Sequence, residues 1–339
     1  MPYHSTMSLR YIANRLQEQG ADPKTVLLRH GLDLNNMALD SRIECSLELQ
    51  VFCELCELSN NPLAGLSMGN SIGFSGYGPF AMMLLTCATP YEALLSSQRF
   101  QALAYLFSKL TVVPGKTSSA LTFTPLNLPG KAHRLRIDTE LAGAYKLLLD
   151  LQKATGIDLQ PEQVVLPYNK PEQEQAQAYP AFFNCPVLFT GDTARIEILN
   201  SKLQQALPTA DLVGNQLFRQ QCEQLQHLAL QQVDSDLANQ VRQYLLMYVE
   251  HFPSAPEVAS MLQMSERSLR SNLSKLGVSY RQILDQVRYQ RACQHLEQGR
   301  DSIESIALQL GYAEAAAFIH AFQRWSGTTP AAYRRQIAH

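Results

Sequence analysis

The chain has 339 residues, enough for two domains of ordinary size, which excludes a small protein held together by disulfides. Hydrophobic residues make up 46% of it and charged residues 17%, a composition that predicts a folded globular protein and excludes a disordered one. The net charge of −2 hides a regional difference, because residues 240–339 hold 11 Lys and Arg against 8 Asp and Glu. This mildly basic C-terminal third suits a nucleic-acid partner.

The sequence carries no signal for a membrane or for secretion. Its longest apolar run, within residues 79–88, is half of the ~20 residues that cross a bilayer, and no basic segment followed by an apolar core opens the chain. The seven cysteines cannot all pair, and most have apolar neighbours, which predicts reduced thiols. We therefore expect a cytoplasmic protein with no membrane partner.

The N-terminal region mixes helical and strand-like periodicity. Helices are expected at residues 9–16, 23–31 and 46–58. Thr89 and Glu92 can start a further helix, expected to continue through Phe100 and Leu106. Strands are expected at residues 110–113, 120–123, 164–166, 187–189 and 196–199, the first two as a hairpin. These patterns predict an α+β region that ends near residues 230–237.

Beyond Pro208 the pattern is helical, and two of its segments resemble each other. The recurring positions are Ala259, Leu262 and Glu266 with Ala307, Leu310 and Glu314 at an offset of 48, then, after one extra residue, Leu269 and Leu273 with Phe318 and Phe322 at an offset of 49. Each segment has the spacing of a helix, a tight turn and a second helix, which predicts two helix-turn-helix units.

Capping residues mark where these helices start. Ser254 with Glu257 and Asp301 with Glu304 are expected to cap the first helix of each unit, and Ser265 the second helix of unit one after a turn at Gln263–Met264. Residues 278–298 read as one linker helix of ~30 Å, close to the ~34 Å between successive major grooves on one face of DNA. The two units, at about 254–276 and 301–326, are thus expected to enter successive grooves.

The motifs of this region resemble a known family. Arg267-Ser268-Leu269, Leu310-Gly311-Tyr312, Phe322-Gln323-Arg324-Trp325 and Thr329-Pro330 are similar to the DNA-binding domain of AraC/XylS-type transcription regulators. Residues 182–189, with Thr89-Pro90 and the segment 167–171, resemble the N-terminal region of the branch that includes ornithine-utilisation-type regulators. The resemblance implies an α+β sensor domain at 1–232, for effector binding and dimerisation, followed by an all-α DNA-binding domain at 236–339 with two helix-turn-helix units joined by a linker helix.

Double-stranded DNA, entered through its major groove, is therefore the expected partner, with RNA polymerase as a further candidate. The side chains expected to contact DNA are Ser265, Arg267, Ser268, Arg270, Ser271 and Lys275 in unit one, and Ala315, Ala316, His320, Gln323 and Arg324 in unit two. The alternative for the arginines is a solvated helix face. Family members commonly carry arginine where Ser271 and Asn272 stand, and polar or arginine side chains where Ala315, Ala316 and His320 stand. Because alanine offers only methyl contacts, unit two is expected to anchor more than it reads.

The helix after Asp211 has an apolar arc with two readings. Its members are Leu217, Phe218, Cys222, Leu225 and Leu228. The arc packs either against its own domain or against a second copy, and the second reading predicts a homodimer. A small-molecule effector is expected, but the polar side chains His133, Arg134, Arg136, Tyr168 and Lys170 could line its pocket or lie on the surface.

Two other functions fit the sequence less well than a transcription regulator does. A DNA-repair alkyltransferase would need a zinc-binding cysteine cluster or a Pro-Cys-His-Arg motif, and the sequence has neither. A redox sensor would use Cys53 and Cys56, whose spacing on an apolar helix face is typical of packing. We expect no catalytic residues, no metal site and no cofactor, and hence no enzyme.

Overall fold

The computed structural model describes residues 3–126, 128–190, 193–231, 237–248, 252–262, 264–298 and 301–337. The chain forms two compact units, Met1–Val233 (unit 1) and Asp234–His339 (unit 2). The expected boundary near 230–237 includes residues 232–236, which lie outside the described part, so the assignment of functions to 1–232 and 236–339 stays a prediction. In the described part, no helix has the length and apolar character of a membrane span.

Unit 1 combines helices with two sheets. Its helices are α1 (Met7–Glu18), α2 (Pro23–Arg29), α3 (Cys45–Glu57), α4 (Ala64–Asn70), α5 (Pro79–Leu85), α6 (Pro90–Arg99), α7 (Ala132–Thr155), α8 (Gln173–Phe183), α9 (Asn200–Leu203) and α10 (Leu212–Gln231). Its strands are β1 (Tyr3–Ser5), β2 (Arg42–Glu44), β3 (Lys109–Val113), β4 (Ser118–Thr124), β5 (Gln163–Leu166), β6 (Val187–Phe189) and β7 (Ala194–Leu199). Short 3₁₀ turns lie at Phe74–Tyr77 and Gln101–Leu103.

The larger sheet has five strands in the order β3-β4-β7-β5-β6, all antiparallel except the pair β5 and β6. Alternate residues of β4 and β7 are buried, and Leu121 pairs with Ile196 in the register that places both in the core. The predicted hairpin and the α+β class are confirmed. The small β1–β2 sheet is a feature that the sequence analysis missed.

The helix that starts at Thr89 ends sooner than expected. The Thr89 hydroxyl accepts a hydrogen bond from the Glu92 N–H at 3.2 Å, as predicted, but the helix stops at Arg99 and does not reach Leu106. The Glu140 carboxylate, on α7, accepts a hydrogen bond from the Phe107 N–H at 2.8 Å. This contact with α7 satisfies the Phe107 N–H, which would have donated within the helix if α6 were longer. Helical spacing alone could not show the contact.

Helix α7 runs through the middle of unit 1 and packs very closely on α4. A Cβ added at Gly65 would lie 2.5 Å from the Leu135 carbonyl oxygen, and one at Gly69 would lie 2.1 Å from the Thr139 carbonyl oxygen. Only glycine therefore allows the two backbones to approach this closely. Gly143 on α7 differs, since an added Cβ would make only ordinary contacts, at 3.6 Å and 3.7 Å.

Unit 2 is helical throughout its described residues. Its helices are α11 (Leu237–Met247), α12 (Ala255–Met261), α13 (Glu266–Lys275), α14 (Tyr280–Gln298), α15 (Ile303–Gln309), α16 (Ala315–Ser326) and α17 (Pro330–Ile337). The all-α prediction with a linker helix, α14, is confirmed. The linker starts at Tyr280 and not at Val278, because the Ser279 hydroxyl accepts a hydrogen bond from the Gln282 N–H at 3.3 Å and ends the preceding turn.

Candidate DNA interface

Helices α12 and α13 form the first helix-turn-helix. The Glu257 carboxylate accepts hydrogen bonds from the N–H and the hydroxyl of Ser254, both at 2.6 Å, which fixes the start of α12 where the sequence predicts it. In the turn, the Met264 N–H donates to the Ala259 carbonyl oxygen at 2.9 Å. The neighbouring Gln263 lies outside the described residues.

The start of α13 follows at once. The Ser265 hydroxyl accepts a hydrogen bond from the Ser268 N–H at 3.1 Å, so the predicted cap is confirmed. Leu269 and Leu273, four positions apart, are completely buried and hold one side of α13 against the unit. The other side of this helix therefore faces solvent.

Helices α15 and α16 repeat this arrangement. The Tyr312 N–H donates to the Ala307 carbonyl oxygen at 2.9 Å, the counterpart of the first turn at the predicted offset of 48. The residue before the second helix is Ser265 in the first helix-turn-helix and Glu314 in the second one. These two positions are 49 residues apart. The extra residue of the second unit thus precedes Glu314, and the expected match between Glu266 and Glu314 is wrong.

The cap of α15 also differs from the prediction. The Ser302 hydroxyl, not Asp301, accepts the hydrogen bond from the Ser305 N–H, at 3.1 Å. The Asp301 carboxylate instead accepts one from His295 Nδ1 at 2.9 Å. A histidine on the preceding helix α14 takes the carboxylate, and the adjacent serine supplies an equivalent capping oxygen.

The expected DNA-contacting side chains of the first helix-turn-helix all lie on the exposed side of α13 or at its start. They are Ser265, Arg267, Ser268, Arg270, Ser271 and Lys275. The position Asn272 is half-buried. Three cations and three hydroxyls on one solvent-facing helix surface can contact phosphates and base edges.

Arg270 is held by its own helix in the free protein. Its Nε and Nη2 both donate to Glu266 Oε1, at 2.7 Å and 2.6 Å, although the arginine side chain is 68% exposed. This pair was not predicted from the sequence, although Glu four positions before Arg on a helix is a recognisable signal. To contact a base edge, Arg270 must leave or share Glu266.

The corresponding side of α16 is less polar. Phe318 and Phe322 are buried, and Ala315 packs against the same core, so it is only half-exposed. The remaining expected contact residues are exposed: Ala316, His320, Gln323 and Arg324. Arg324 Nη2 lies 3.3 Å from Asp285 Oδ2 on α14. This surface can supply the Arg324 guanidinium, the His320 imidazole and the Gln323 amide.

The apolar arc of α10 divides into two parts. Cys222 is completely buried and Phe218 packs against the core of unit 1, while Leu225 is half-buried. Leu217 and Leu228 are 52% and 53% exposed. Val213, which precedes Leu217 by one turn and was not part of the predicted arc, is also exposed, so the exposed apolar stripe is Val213, Leu217 and Leu228.

The five polar side chains considered for an effector pocket are not brought together. Arg136 lines the cavity of unit 1, whereas His133 Nδ1 pairs with the Leu126 carbonyl oxygen at 2.9 Å and Lys170 is exposed. Arg134 and Tyr168 belong to a separate network around Asp138 on α7.

Asp138 is the buried centre of that network. Its carboxylate accepts hydrogen bonds from the Tyr168 hydroxyl and, at 2.8 Å, from the Tyr179 hydroxyl, and Arg134 Nη2 donates to the Tyr179 oxygen at 2.9 Å. Burial raises the pKa of Asp138 to about 7, against the opposing effect of the two tyrosines and Arg134. The sequence offered no signal for this group, since its members come from three separate segments.

The cysteines of α3 do not have the properties of a redox pair. Cys56 is buried and Cys53 is half-buried. Burial raises the pKa of Cys53 to about 12 and that of Cys56 further, so both thiols are protonated at neutral pH and react slowly.

One group with metal-binding side chains was not expected. His4, Cys45 and Glu48 are buried, and their potential ligand atoms lie within 4.8 Å of one another. His4 Nδ1 and Glu48 Oε2 already pair at 2.7 Å, and Glu48 with Cys45 raises the pKa of His4 to about 10 despite burial. A metal ion would have to displace the proton that His4 carries, and it would have to break the ion pair between His4 and Glu48, which joins β1 to α3.

The chain combines a mixed α and β N-terminal unit with two helix-turn-helix units. It belongs to the family of AraC transcription regulators. Residues 20–207 match the arabinose-binding domain of AraC transcription regulators, found at their N-terminus, and residues 258–336 match a helix-turn-helix domain. The predicted family is confirmed, and the protein is a DNA-binding transcription regulator.

The chain is also similar to individual transcription regulators. The chain is 29% identical over 277 residues to the Ornithine utilization regulator of Pseudomonas aeruginosa, an alignment that covers 82% of this chain and 80% of that protein. It is 26% identical over 281 residues to the HTH-type transcriptional regulator VqsM of the same organism, covering 80% and 84%. The crystal structure of the transcriptional regulator CdpR from Pseudomonas aeruginosa aligns over 97% of this chain and 98% of that one, with 24% identity and a TM-score of 0.47.

Proposed function

We propose that the protein is a homodimeric, cytoplasmic regulator that recognises a specific duplex-DNA site through α13, anchors itself through α16, and responds to a small molecule bound by unit 1. It catalyses no reaction in this proposal, and it affects transcription through RNA polymerase at a nearby promoter. The observation that carries the proposal is the exposed surface of α13, where Arg267, Arg270 and Lys275 share the side opposite the buried leucines.

The division of labour between α13 and α16 rests on their side chains. Arg270 can donate two parallel hydrogen bonds to a guanine edge, whereas Ala315 and Ala316 can offer only methyl groups to a thymine. Arg324 can still neutralise a phosphate, and His320 can donate a hydrogen bond to one. The first helix-turn-helix therefore has the chemistry to discriminate bases, and the second has the chemistry to hold the DNA backbone.

Dimerisation is supported by the exposed stripe of α10. Val213, Leu217 and Leu228 expose large apolar side chains on one side of a long helix, which is unfavourable in water and typical of a surface that another molecule covers. A second copy presenting the same stripe would bury it symmetrically and join two DNA-binding units.

The test is selection of binding sites from a random duplex library with the full-length chain, followed by affinity measurements on the enriched site. Arg267→Ala combined with Arg270→Ala should weaken binding by about 30- to 900-fold, since each lost contact removes about 1–2 kcal/mol. Lys116→Ala, at the exposed β3–β4 turn of unit 1, is the matched control and should bind like the original chain. A library with no enriched site, or a double variant that binds as tightly as the control, would show the proposal to be wrong.

A further inference from the structure

Unit 1 contains a cavity whose walls show what kind of molecule it could hold. Its volume is about 70 Å³, and it is lined by residues of α1, α5, α6, α7, the hairpin β3–β4 and the segments 72–77 and 104–106. Most of the side chains that line it are aliphatic or aromatic, among them Ile12, Phe80, Leu94, Leu110, Phe123 and Leu148. The cavity lies in the middle of the main core of this unit.

The neutral polar groups of the wall are mostly occupied by the protein itself. The Ser97 hydroxyl donates to the Ala93 carbonyl oxygen at 2.9 Å, and the Thr139 hydroxyl to the Leu135 carbonyl oxygen at 2.7 Å. The Tyr105 hydroxyl donates to the Gly76 carbonyl oxygen at 2.6 Å. A sugar placed here would leave most of its hydroxyls without partners, and each buried unsatisfied group is costly.

The charges near the cavity are balanced in pairs. Arg136 Nε donates to Glu140 Oε1 at 2.8 Å, and both residues line the cavity. Glu48, which accepts a hydrogen bond from the wall residue Ser8, is paired with His4 at 2.7 Å. A ligand with a carboxylate or an ammonium group would therefore enter as an uncompensated charge, or would have to separate a buried ion pair.

One wall group differs from the others. The Tyr77 hydroxyl has no hydrogen-bond partner among the described residues, and Tyr77 is only 7% exposed. Desolvation raises the pKa of this phenol, which stays protonated and can donate. Gly143 lines the cavity beside it, since a Cβ there would lie 3.6 Å from the Tyr77 oxygen.

We propose that the effector of unit 1 is a neutral, mainly hydrocarbon molecule, an alkyl chain or a ring, that carries at most one hydrogen-bonding group, which pairs with the Tyr77 hydroxyl. This inference rests on the proposed function, because it specifies the small molecule to which the regulator responds. The cavity is smaller than the ~300 Å³ of a typical ligand pocket, so the proposal requires the ligand to enlarge it.

In this proposal the segment 104–106 is the wall that moves to enlarge the cavity. Tyr105 has φ of 56°, in the left-handed region that non-glycine residues seldom adopt, and it follows the short 3₁₀ turn Gln101–Leu103. Its carbonyl oxygen accepts a hydrogen bond from Arg136 Nη2 at 2.6 Å. A ligand that displaces this segment would thus change the contacts of α7.

The test uses the full-length chain with four probes: toluene and 1-hexanol as apolar compounds, L-arabinose and L-ornithine as polar ones. Binding is measured by calorimetry, and the affinity for the selected duplex is measured with and without each probe. Toluene and hexanol should bind and alter the DNA affinity, and the two polar probes should do neither.

Two variants locate the site. Tyr77→Phe should weaken hexanol binding about two- to tenfold, the value of one hydrogen bond, and leave toluene binding unchanged. Gly143→Ala, which fits without a clash, should weaken toluene binding about tenfold by occupying space in the cavity. Leu95→Ala, at an exposed position of α6, should change neither.

The outcomes separate this inference from the proposed function. Binding of arabinose or ornithine without binding of toluene or hexanol would overturn the apolar assignment and point to the polar groove of about 620 Å³ beside α1 and α2. Toluene binding that Gly143→Ala leaves unchanged would overturn the location. DNA recognition itself is tested with the α13 variants in the absence of any probe. That result concerns only the proposed function.

Discussion

Replacement of Arg270 by alanine tests the role of α13 most directly. A bidentate contact between arginine and guanine contributes about 1–3 kcal/mol of discrimination against the wrong base. In the free protein Arg270 is bound to Glu266, but an exposed pair of this kind is worth only about 0.5 kcal/mol. The net loss on Arg270→Ala is therefore about 0.5–2.5 kcal/mol, or roughly 2- to 70-fold in discrimination at one or two base pairs.

The assay is binding to a library of single-base variants of the selected site at two salt concentrations. Arg270→Ala should lose preference at one or two positions and keep it elsewhere. Glu266→Gln removes the charge that pairs with Arg270 and keeps the side-chain length at position 266. This variant should retain the base preference. Arg324→Ala and His320→Ala should weaken binding to every sequence, and loss of the Arg324 phosphate contact should lower the salt slope by about 1.

The result that would refute this reasoning is a reversal of the two patterns. If Arg270→Ala weakened binding equally for all library members, while His320→Ala lost preference at a single base pair, α16 would be the reading helix. Preserved specificity in Arg270→Ala together with lost specificity in Glu266→Gln would assign the reading role to the carboxylate, which can accept a hydrogen bond from cytosine.

Three further predictions concern unit 1. Leu217→Asp should shift the protein from dimer to monomer in analytical ultracentrifugation without loss of helical circular dichroism, while Gln216→Asp, which adds the same charge at the neighbouring exposed position, should remain dimeric. Gly69→Ala should lower the free energy of unfolding by more than 2 kcal/mol because its Cβ meets a backbone oxygen, whereas Gly143→Ala should raise it by about 0.5–1 kcal/mol through helix propensity, as denaturant titration would show. Because burial raises the pKa of Asp138 to about 7, the folded state binds a proton that the unfolded state releases near pH 4, so the free energy of unfolding should fall as the pH rises from about 4 to 7, and a parallel pH series on Asp138→Asn should show a smaller fall.

Local signals account for the parts of the fold that the sequence predicts well. The capping pair Ser254 and Glu257 and the cap Ser265 involve residues three positions apart, so their geometry depends only on the helix that they start. Asp301 shows where such signals fail. The sequence contains two adjacent oxygens for one cap, and in the fold Ser302 caps the helix while Asp301 pairs with His295, a residue on another helix.

Contacts between distant segments account for what the sequence did not show. Helix α6 ends at Arg99 in a fold where Glu140, about 40 residues later, binds the backbone at Phe107. The close packing of α4 on α7 depends on Gly65 and Gly69, which in the sequence look like helix-weakening residues. In both cases the partner is known only once the chain has folded.

The two ligand sites differ in the same way. On α13, burial of Leu269 and Leu273 fixes the phase of the helix, so the exposure of Arg267 and Arg270 follows from a spacing of three or four residues that can be counted in the sequence. The cavity of unit 1 is lined by residues from Ser8 to Leu151, which share no spacing. Among the described residues, the Tyr105 hydroxyl donates to the Gly76 carbonyl oxygen, whereas the hydroxyl of the neighbouring wall residue Tyr77 has no hydrogen-bond partner. A DNA-reading helix can therefore be inferred from periodicity, whereas the chemistry of the effector depends on which polar groups the fold leaves unsatisfied.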